Sequence, residues 1–161
     1  MSTDVTPSAV IRPAGSADAG CIAALVQEAY TPWIAVIGRR PRPMDDDYEA
    51  RCAKAQAWLL ELDGEPVGAV IIEDMNGYLF LHNIAVAPRM QHRGFGRRLM
   101  HFVEEEARRR SFREVKLTTT VVMQKNIDLY ERLGYAITGR EPTATVDRVW
   151  MTKRVDEAGK A

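Results

Sequence analysis

Cysteine is scarce. The 161-residue chain has two, Cys21 and Cys52, which form neither a disulfide framework nor the spacing of a metal site. Both read as reduced thiols, and no bound metal is expected. Neither sign of charge is in excess, with 22 basic against 22 acidic residues. That balance removes the global field that draws in nucleic acid or an anionic membrane. The opening MSTDVTPSAV lacks the apolar core of a signal peptide, and no run is read as approaching the ~18 residues of a membrane span. The expectation is a soluble, cytoplasmic protein. Repeats and low-complexity linkers are missing too, so the chain reads as one domain over about residues 9–155, with flexible ends at 1–8 and 156–161.

What is present is concentrated between Leu81 and Met100, LHNIAVAPRMQHRGFGRRLM: an apolar strand, a turn with a proline, a glycine-punctuated loop and the start of a helix. Gly94 and Gly96 remove side-chain bulk where a backbone must approach a ligand, and the first amides of the following helix have no internal partner. Those amides and the helix dipole attract negative oxygens. Arg93, Arg97 and Arg98 add positive charge, so the guest that suits this turn is strongly anionic, a pyrophosphate foremost. A tight strand-to-helix turn with no ligand would use the same glycines. Arg108, Arg109 and Arg110, by contrast, follow Glu104, Glu105 and Glu106 and read as the solvated, internally paired end of a helix.

Taken in order, Ala9 to Arg12 reads as a strand. A helix follows from Ala19 to Tyr30, capped by Ser16 or Asp18, buried through Ile22, Leu25, Val26 and Ala29, and ended at Thr31-Pro32. Trp33 to Met44 reads as a short helix and an extended loop, and Asp45 as the cap of a helix through Tyr48 to Ala53. Asp63-Gly64 and Asn76-Gly77 then divide three antiparallel strands, Ala57 to Leu62, Val67 to Glu73 and Tyr78 to Val86. On the third, simple alternation puts Phe80, His82, Ile84 and Val86 on one face and Leu79, Leu81, Asn83 and Ala85 on the other. A helix from Phe95 to about Arg110 crosses over to a parallel strand, Glu114 to Thr119. A further helix, Gln124 to Leu133, ends at Gly134, and Tyr135 to Arg140 and Thr145 to Arg154 close the chain as strands. The fold expected is α/β: one domain with a mixed, mostly antiparallel sheet, a single βαβ unit and a split near its centre.

QHRGFG, Gln91 to Gly96, resembles the Q/R-x-x-G-x-G/A motif of the GNAT superfamily of acyl-CoA-dependent N-acetyltransferases, and IAVAP before it resembles that family's fourth strand. NIDLYERLGY, Asn126 to Tyr135, resembles its second signature, N-x-x-x-Y-x-x-x-G-F/Y. The resemblance implies a GNAT-like fold whose fourth and fifth strands splay apart, and acetyl-CoA as co-substrate. It implies that backbone amides from Gln91 through His92, Arg93, Gly94, Phe95 and Gly96 to Arg97 hold the pyrophosphate. It also implies that the backbone of Ile84, Ala85 and Val86 meets the pantetheine arm, that Asn126 contacts the cofactor, and that Tyr130 protonates the departing thiolate.

The string L-H-x-x-A-V around His82 resembles the matching strand of arylalkylamine N-acetyltransferases, where a histidine takes part in proton removal. Many family members carry a glutamate two residues earlier, where this chain has Phe80; His82 as a hydrogen-bonded structural residue is the other reading. The segment between the first two strands commonly walls the acceptor site in this family, which makes Tyr30, Trp33, Ile37, Met44 and Tyr48 candidates, with ordinary core packing as their alternative. The acceptor implied is a primary amine on a small molecule or peptide, and the late strands offer an edge for a homodimer. A non-catalytic acyl-CoA-binding module is the rival function. A dinucleotide-binding Rossmann enzyme would need its glycines directly after the first strand, and here they lie mid-chain.

Overall fold

The Asp63-Gly64 signal folds as a turn of the required hand, whereas at Asn76-Gly77 only Gly77 takes a positive φ, 95°. In the computed structural model, which describes residues 8–142 and 147–156, Asp63 and Gly64 take φ of 52° and 82°, as a two-residue connection between antiparallel strands requires. In chain order the elements are β1 (Ala9–Pro13), α1 (Ala19–Ile37), α2 (Tyr48–Ala53), β2 (Ala57–Leu62), β3 (Glu65–Asp74), β4 (Leu79–Val86), α3 (Phe95–Arg109), β5 (Glu114–Thr120), α4 (Gln124–Arg132), β6 (Ala136–Glu141) and β7 (Arg148–Arg154). The expected flexible ends lie largely outside the described residues, as do positions 145 and 146 of the expected last strand. The seven strands form one sheet in the order β1-β2-β3-β4-β5-β7-β6, with β4 and β5 parallel and the other pairs antiparallel.

Each face of the sheet has its own core. Leu99, Met100, Val103 and Ala107 of α3 and Ile127 and Tyr130 of α4 pack against one face, on Leu60, Val70, Ile72, Leu79, Leu81, Val115, Leu117 and Met151. On the other face, Ile22, Leu25 and Val26 of α1 and Tyr48 and Cys52 of α2 pack on Leu59, Ala69, Ile71 and Ala85. Burial of these aliphatic side chains, each worth about 1.5–3 kcal/mol, is the main force holding both layers. The basic end of α3 is paired as expected: Arg108 reaches Glu105 at 2.6 Å, and Arg109 and Arg110 reach Glu106 at 2.7 and 2.9 Å.

Two irregularities shape the middle of the sheet. The β3–β4 register runs from Ile71 opposite Asn83 to Ile72 opposite Leu81, leaving His82 as an extra residue, a β-bulge. Simple alternation along β4 is thereby broken. Leu79 and Leu81 face the α3 layer, His82 and Asn83 both face the α1 side, and Ile84 and Val86 return to the α3 side. Alternation alone separates His82 from Asn83 and Phe80 from Ala85; the bulge unites them. Second, β4 pairs with β5 only at Leu79, Phe80 and Leu81. From His82 onward the two strands part.

Helix α1 runs seven residues beyond Tyr30, straight through Pro32, to Gly38 at φ 87°. Proline removes one amide donor, but Pro32 and Glu28, whose carbonyl loses that donor, are both exposed, so water satisfies the vacant acceptor. With Pro32 inside it, Ser16–Ile37 is long and apolar enough to cross a membrane by length and composition, with a mean hydropathy of 1.3. Here its Ile22, Leu25 and Val26 belong to the core. The cap of α2 is Asp47, whose side chain accepts from the Ala50 amide at 3.1 Å, rather than Asp45. Asp18 occupies the N-cap position of α1 but turns back to the Gly15 amide and to Arg12.

Candidate active site

The parting of β4 from β5 opens a cavity of about 560 Å³, walled by the segment between α1 and α2, by Phe80 to Ile84, by Leu117 to Thr120 and by α4. From α4 come Asn126 and, one turn later, Tyr130, because residues four apart share a helical face. Tyr130 is 9% exposed, and burial pushes its phenol up to about 12. It is fully protonated at neutral pH, and no hydrogen bond among the described residues occupies its hydroxyl. The Thr120 hydroxyl, which also lines the cavity, is buried without a partner among the described residues. A polar ligand in the cleft would satisfy both.

His82 projects into the cavity from the bulge. Its Nε2 lies 2.7 Å from Glu73 Oε1, and Arg51 approaches the same carboxylate oxygen at 3.5 Å. The hydrogen bond to His82, assisted by Arg51, holds the Glu73 carboxyl below its ordinary range. An ionised Glu73 can only accept, which assigns the ring proton to Nε2 and leaves the Nδ1 lone pair free. Burial pulls the His82 pKa below its ordinary value against the opposing pull of Glu73. The imidazole is therefore neutral at pH 7.

Beside it, Asn83 is buried and joins three elements. Its Oδ1 accepts from the Tyr30 hydroxyl at 2.8 Å, its Nδ2 donates to Tyr48 Oη at 3.0 Å, and Tyr48 donates in turn to the Pro43 carbonyl. Tyr30, Ile37 and Pro43 line the cavity.

The glycine turn lies apart from this cavity, since none of Gln91 to Arg97 lines it. Gly94 adopts φ 86°, a left-handed conformation that favours glycine, and a Cβ at Gly96 would meet nothing within 4 Å. The first bond inside α3 runs from the Arg98 amide to the Gly94 carbonyl at 3.0 Å. The amides of Phe95, Gly96 and Arg97 consequently have no acceptor within the helix. His92, itself at φ 65°, and Arg93 are exposed on the same loop, and Gln91 tethers it through Nε2 to the Val86 carbonyl at 3.2 Å. Arg98 does not belong to the cradle: it donates to the Ala9 carbonyl at 2.7 Å. These features fit a polyanion at α3 and an extended chain along the β4 edge of Ile84, Ala85 and Val86, which has no β5 partner. They are the groups that would hold acetyl-CoA.

Of the five acceptor candidates, two line the cavity, Tyr30 and Ile37. Met44 is a core residue at 7% exposure, and Tyr48, at 5%, is buried by the same core and acts only through Asn83. Trp33 turns to a separate surface groove with Pro32, Val36 and Val122, because the longer α1 carries it round the helix. Sequence reasoning misses Glu73, Arg51, Asn83 and the arginines Arg39, Arg42 and Arg148. Glu73 carries a signal, as an acid closing the apolar run of β3; its link to His82 depends on the bulge.

The family model described as "Acetyltransferase (GNAT) family" matches residues 22–135. Among curated proteins, the probable N-acetyltransferase camello of Xenopus tropicalis is 35% identical over 81 residues, which cover 48% of this chain and 37% of that protein. The chain thus matches well under two thirds of that relative's length. Among solved structures, the PaiA N-acetyltransferase of Thermoplasma acidophilum, in complex with coenzyme A, superposes with a TM-score of 0.77 at 13% identity, covering 91% of this chain and 99% of that one. The putative acetyltransferase YncA of Salmonella typhimurium, with acetyl-CoA, gives a TM-score of 0.72 at 20% identity and coverages of 96% and 98%. At these identities the two structures show a common fold.

Proposed function

Because the chain belongs to the GNAT acetyltransferase family, we propose that it moves an acetyl group from acetyl-CoA to a primary amine by direct transfer, with both substrates bound together. The observation that carries this reading is the placement of a neutral, carboxylate-oriented His82 and a protonated Tyr130 on the walls of one cavity, where β4 leaves β5. Structurally similar proteins in complex with coenzyme A and with acetyl-CoA support the choice of donor. Acetyl-CoA, when bound, supplies an activated thioester carbonyl with a thiolate as its leaving group.

The residues divide the remaining work. A lysine-like amine with pKa about 10.4 is neutral in only about one molecule per thousand at pH 7, so a proton must leave it before or as it attacks. His82 Nδ1 accepts that proton, directly or through a water, while Glu73 steadies the imidazolium that results. Backbone amides on the unpaired edge of β4 donate to the developing oxyanion. The Tyr130 hydroxyl delivers a proton to the departing sulfur and is restored from solvent.

Release of CoA across a panel of polyamines, aminoglycosides, amino acids and N-terminal peptides tests the proposal, with calorimetric titration of acetyl-CoA alongside. Turnover with at least one amine is expected. Tight acetyl-CoA binding with no turnover across the panel would instead mark a non-catalytic acyl-CoA-binding module.

A further inference from the structure

We infer that the acceptor carries a carboxylate next to its amine, as an amino acid does. This rests on the proposed acetyltransferase reading and deepens it. Six charged side chains besides His82 line the cavity: Arg39, Arg42, Arg51 and Arg148 against Asp45 and Asp46. Both carboxylates are already engaged. Asp45 pairs with Arg40 at 3.0 Å and Asp46 with Arg51 at 2.9 Å. Arg148, on β7, stands 3.8 Å from Glu141. Arg39 and Arg42 have no acidic partner among the described residues. The wall contributed by the segment between α1 and α2 is therefore left with unmatched positive charge.

The backbone presents that charge in a fixed way. The sequence there is Arg39-Arg40-Pro41-Arg42-Pro43. Prolines hold φ near −65°, and Pro41 is observed at −59° with ψ 144°. Pro41 is buried, and the Pro43 carbonyl is tied down by Tyr48. Arg40 turns away to Asp45 and the Met44 carbonyl, while Arg39 and Arg42 line the cavity.

These arginines are not accounted for by a pyrophosphate, because the glycine turn that suits one does not line this cavity. A guanidinium meets a carboxylate through two parallel N–H donors and gains more from it than from a neutral group. A diamine would instead place a second cation against Arg39 and Arg42. An acceptor with a carboxylate on this wall can direct its amine toward His82 and Tyr130, which line the same cavity.

The test compares each amino acid with its amide and with the amine left by decarboxylation, using kcat/KM from CoA release, in the native protein and in the Arg39→Ala/Arg42→Ala double variant. Both arginines are exposed, so the variant is expected to fold, and circular dichroism checks it. At least one amino acid should be preferred over its amide and its decarboxylated amine by tenfold or more, through KM. In the double variant that preference should fall to within about twofold, with kcat/KM for the decarboxylated amine unchanged or raised. Amines without a carboxylate serving as well as the acids, or a preference that survives in the double variant, would overturn the acceptor assignment while leaving an active acetyltransferase. Failure to acetylate any amine at saturating acetyl-CoA would overturn the proposed function itself.

Discussion

Glu73 on β3 and His82 on β4 are joined by a 2.7 Å hydrogen bond that exists because a bulge turns His82 to the side of the sheet where Glu73 lies. Burial and the Glu73 charge act on the imidazole with opposite sign, burial lowering its pKa and Glu73 raising it, and burial prevails. In Glu73→Gln the raising influence is lost while burial remains. The acid limb of kcat/KM, which reports protonation of His82, should therefore move to lower pH. The plateau rate should fall about tenfold, because a glutamine can present its NH2 as well as its carbonyl to the ring and no longer obliges the proton to sit on Nε2. His82→Ala should abolish that limb, so the loss of rate is largest on the plateau above the His82 pKa and shrinks at lower pH, where the native imidazole is itself protonated. A limb that stays in place in Glu73→Gln would make the pair structural only.

Much of this arrangement is legible in the sequence. The turns at Asp63-Gly64 and Asn76-Gly77, the glycine loop and the α4 signature are local signals, encoded within a few residues of where they act. The bulge is different. Whether β4 carries one extra residue against β3 depends on how two whole strands and the layers on both faces pack, and a slip of one residue exchanges the faces of everything beyond it. That is why sequence reasoning reaches His82 but not its partners Glu73 and Arg51, and why it puts Asn83 on the wrong side. Pro32 misleads for a related reason: its cost to a helix depends on whether the orphaned carbonyl can reach water, which is a property of the folded surface.

At Gly96 there is room for a side chain but no tolerance for negative charge. A Cβ there would meet nothing within 4 Å, so Gly96→Asp should retain the fold. It places a carboxylate among the first amides of α3, where a polyanion would sit. Acetyl-CoA affinity should drop well over tenfold by calorimetric titration, with the thermal midpoint little changed. Unchanged affinity in the folded variant would remove the anion-cradle assignment.

Asn83 ties α1 to α2 through Tyr30 and Tyr48. Asn83→Ala removes both bonds in a buried setting, and a polar group left unsatisfied there costs about 1–3 kcal/mol. Urea unfolding should show a loss in that range. KM for the acceptor should rise more than kcat falls, because Tyr30 and the Pro43 segment lose their common anchor while His82 and Tyr130 keep theirs. Equal loss in kcat with KM unaltered would mean that Asn83 does not position the acceptor wall.

Tyr130 carries the sharpest prediction. Its phenol, raised to about 12 by burial, stays protonated throughout the working pH range and is a proton donor that does not donate until charge builds beside it. A thiolate resembling cysteine, with pKa about 8.5, is a weak base against such a phenol. Proton delivery from Tyr130 is therefore uphill in itself and is drawn forward by reprotonation of the phenolate from solvent, while a hydroxyl without a competing partner among the described residues can turn toward the sulfur as charge builds there during C–S cleavage. Removing the hydroxyl should act on the transition state and leave the ground state almost untouched. In Tyr130→Phe, kcat should fall about 10²-fold, within the usual range for a general acid, with the acetyl-CoA Kd changed only a few-fold. Asn126→Ala is the contrasting variant: its side chain lines the same cavity one turn earlier, and its loss should weaken acetyl-CoA binding more than it slows turnover. If Tyr130→Phe turns over at nearly the native rate with chemistry shown to be rate-limiting, Tyr130 packs the floor of the cleft and the sulfur takes its proton from water.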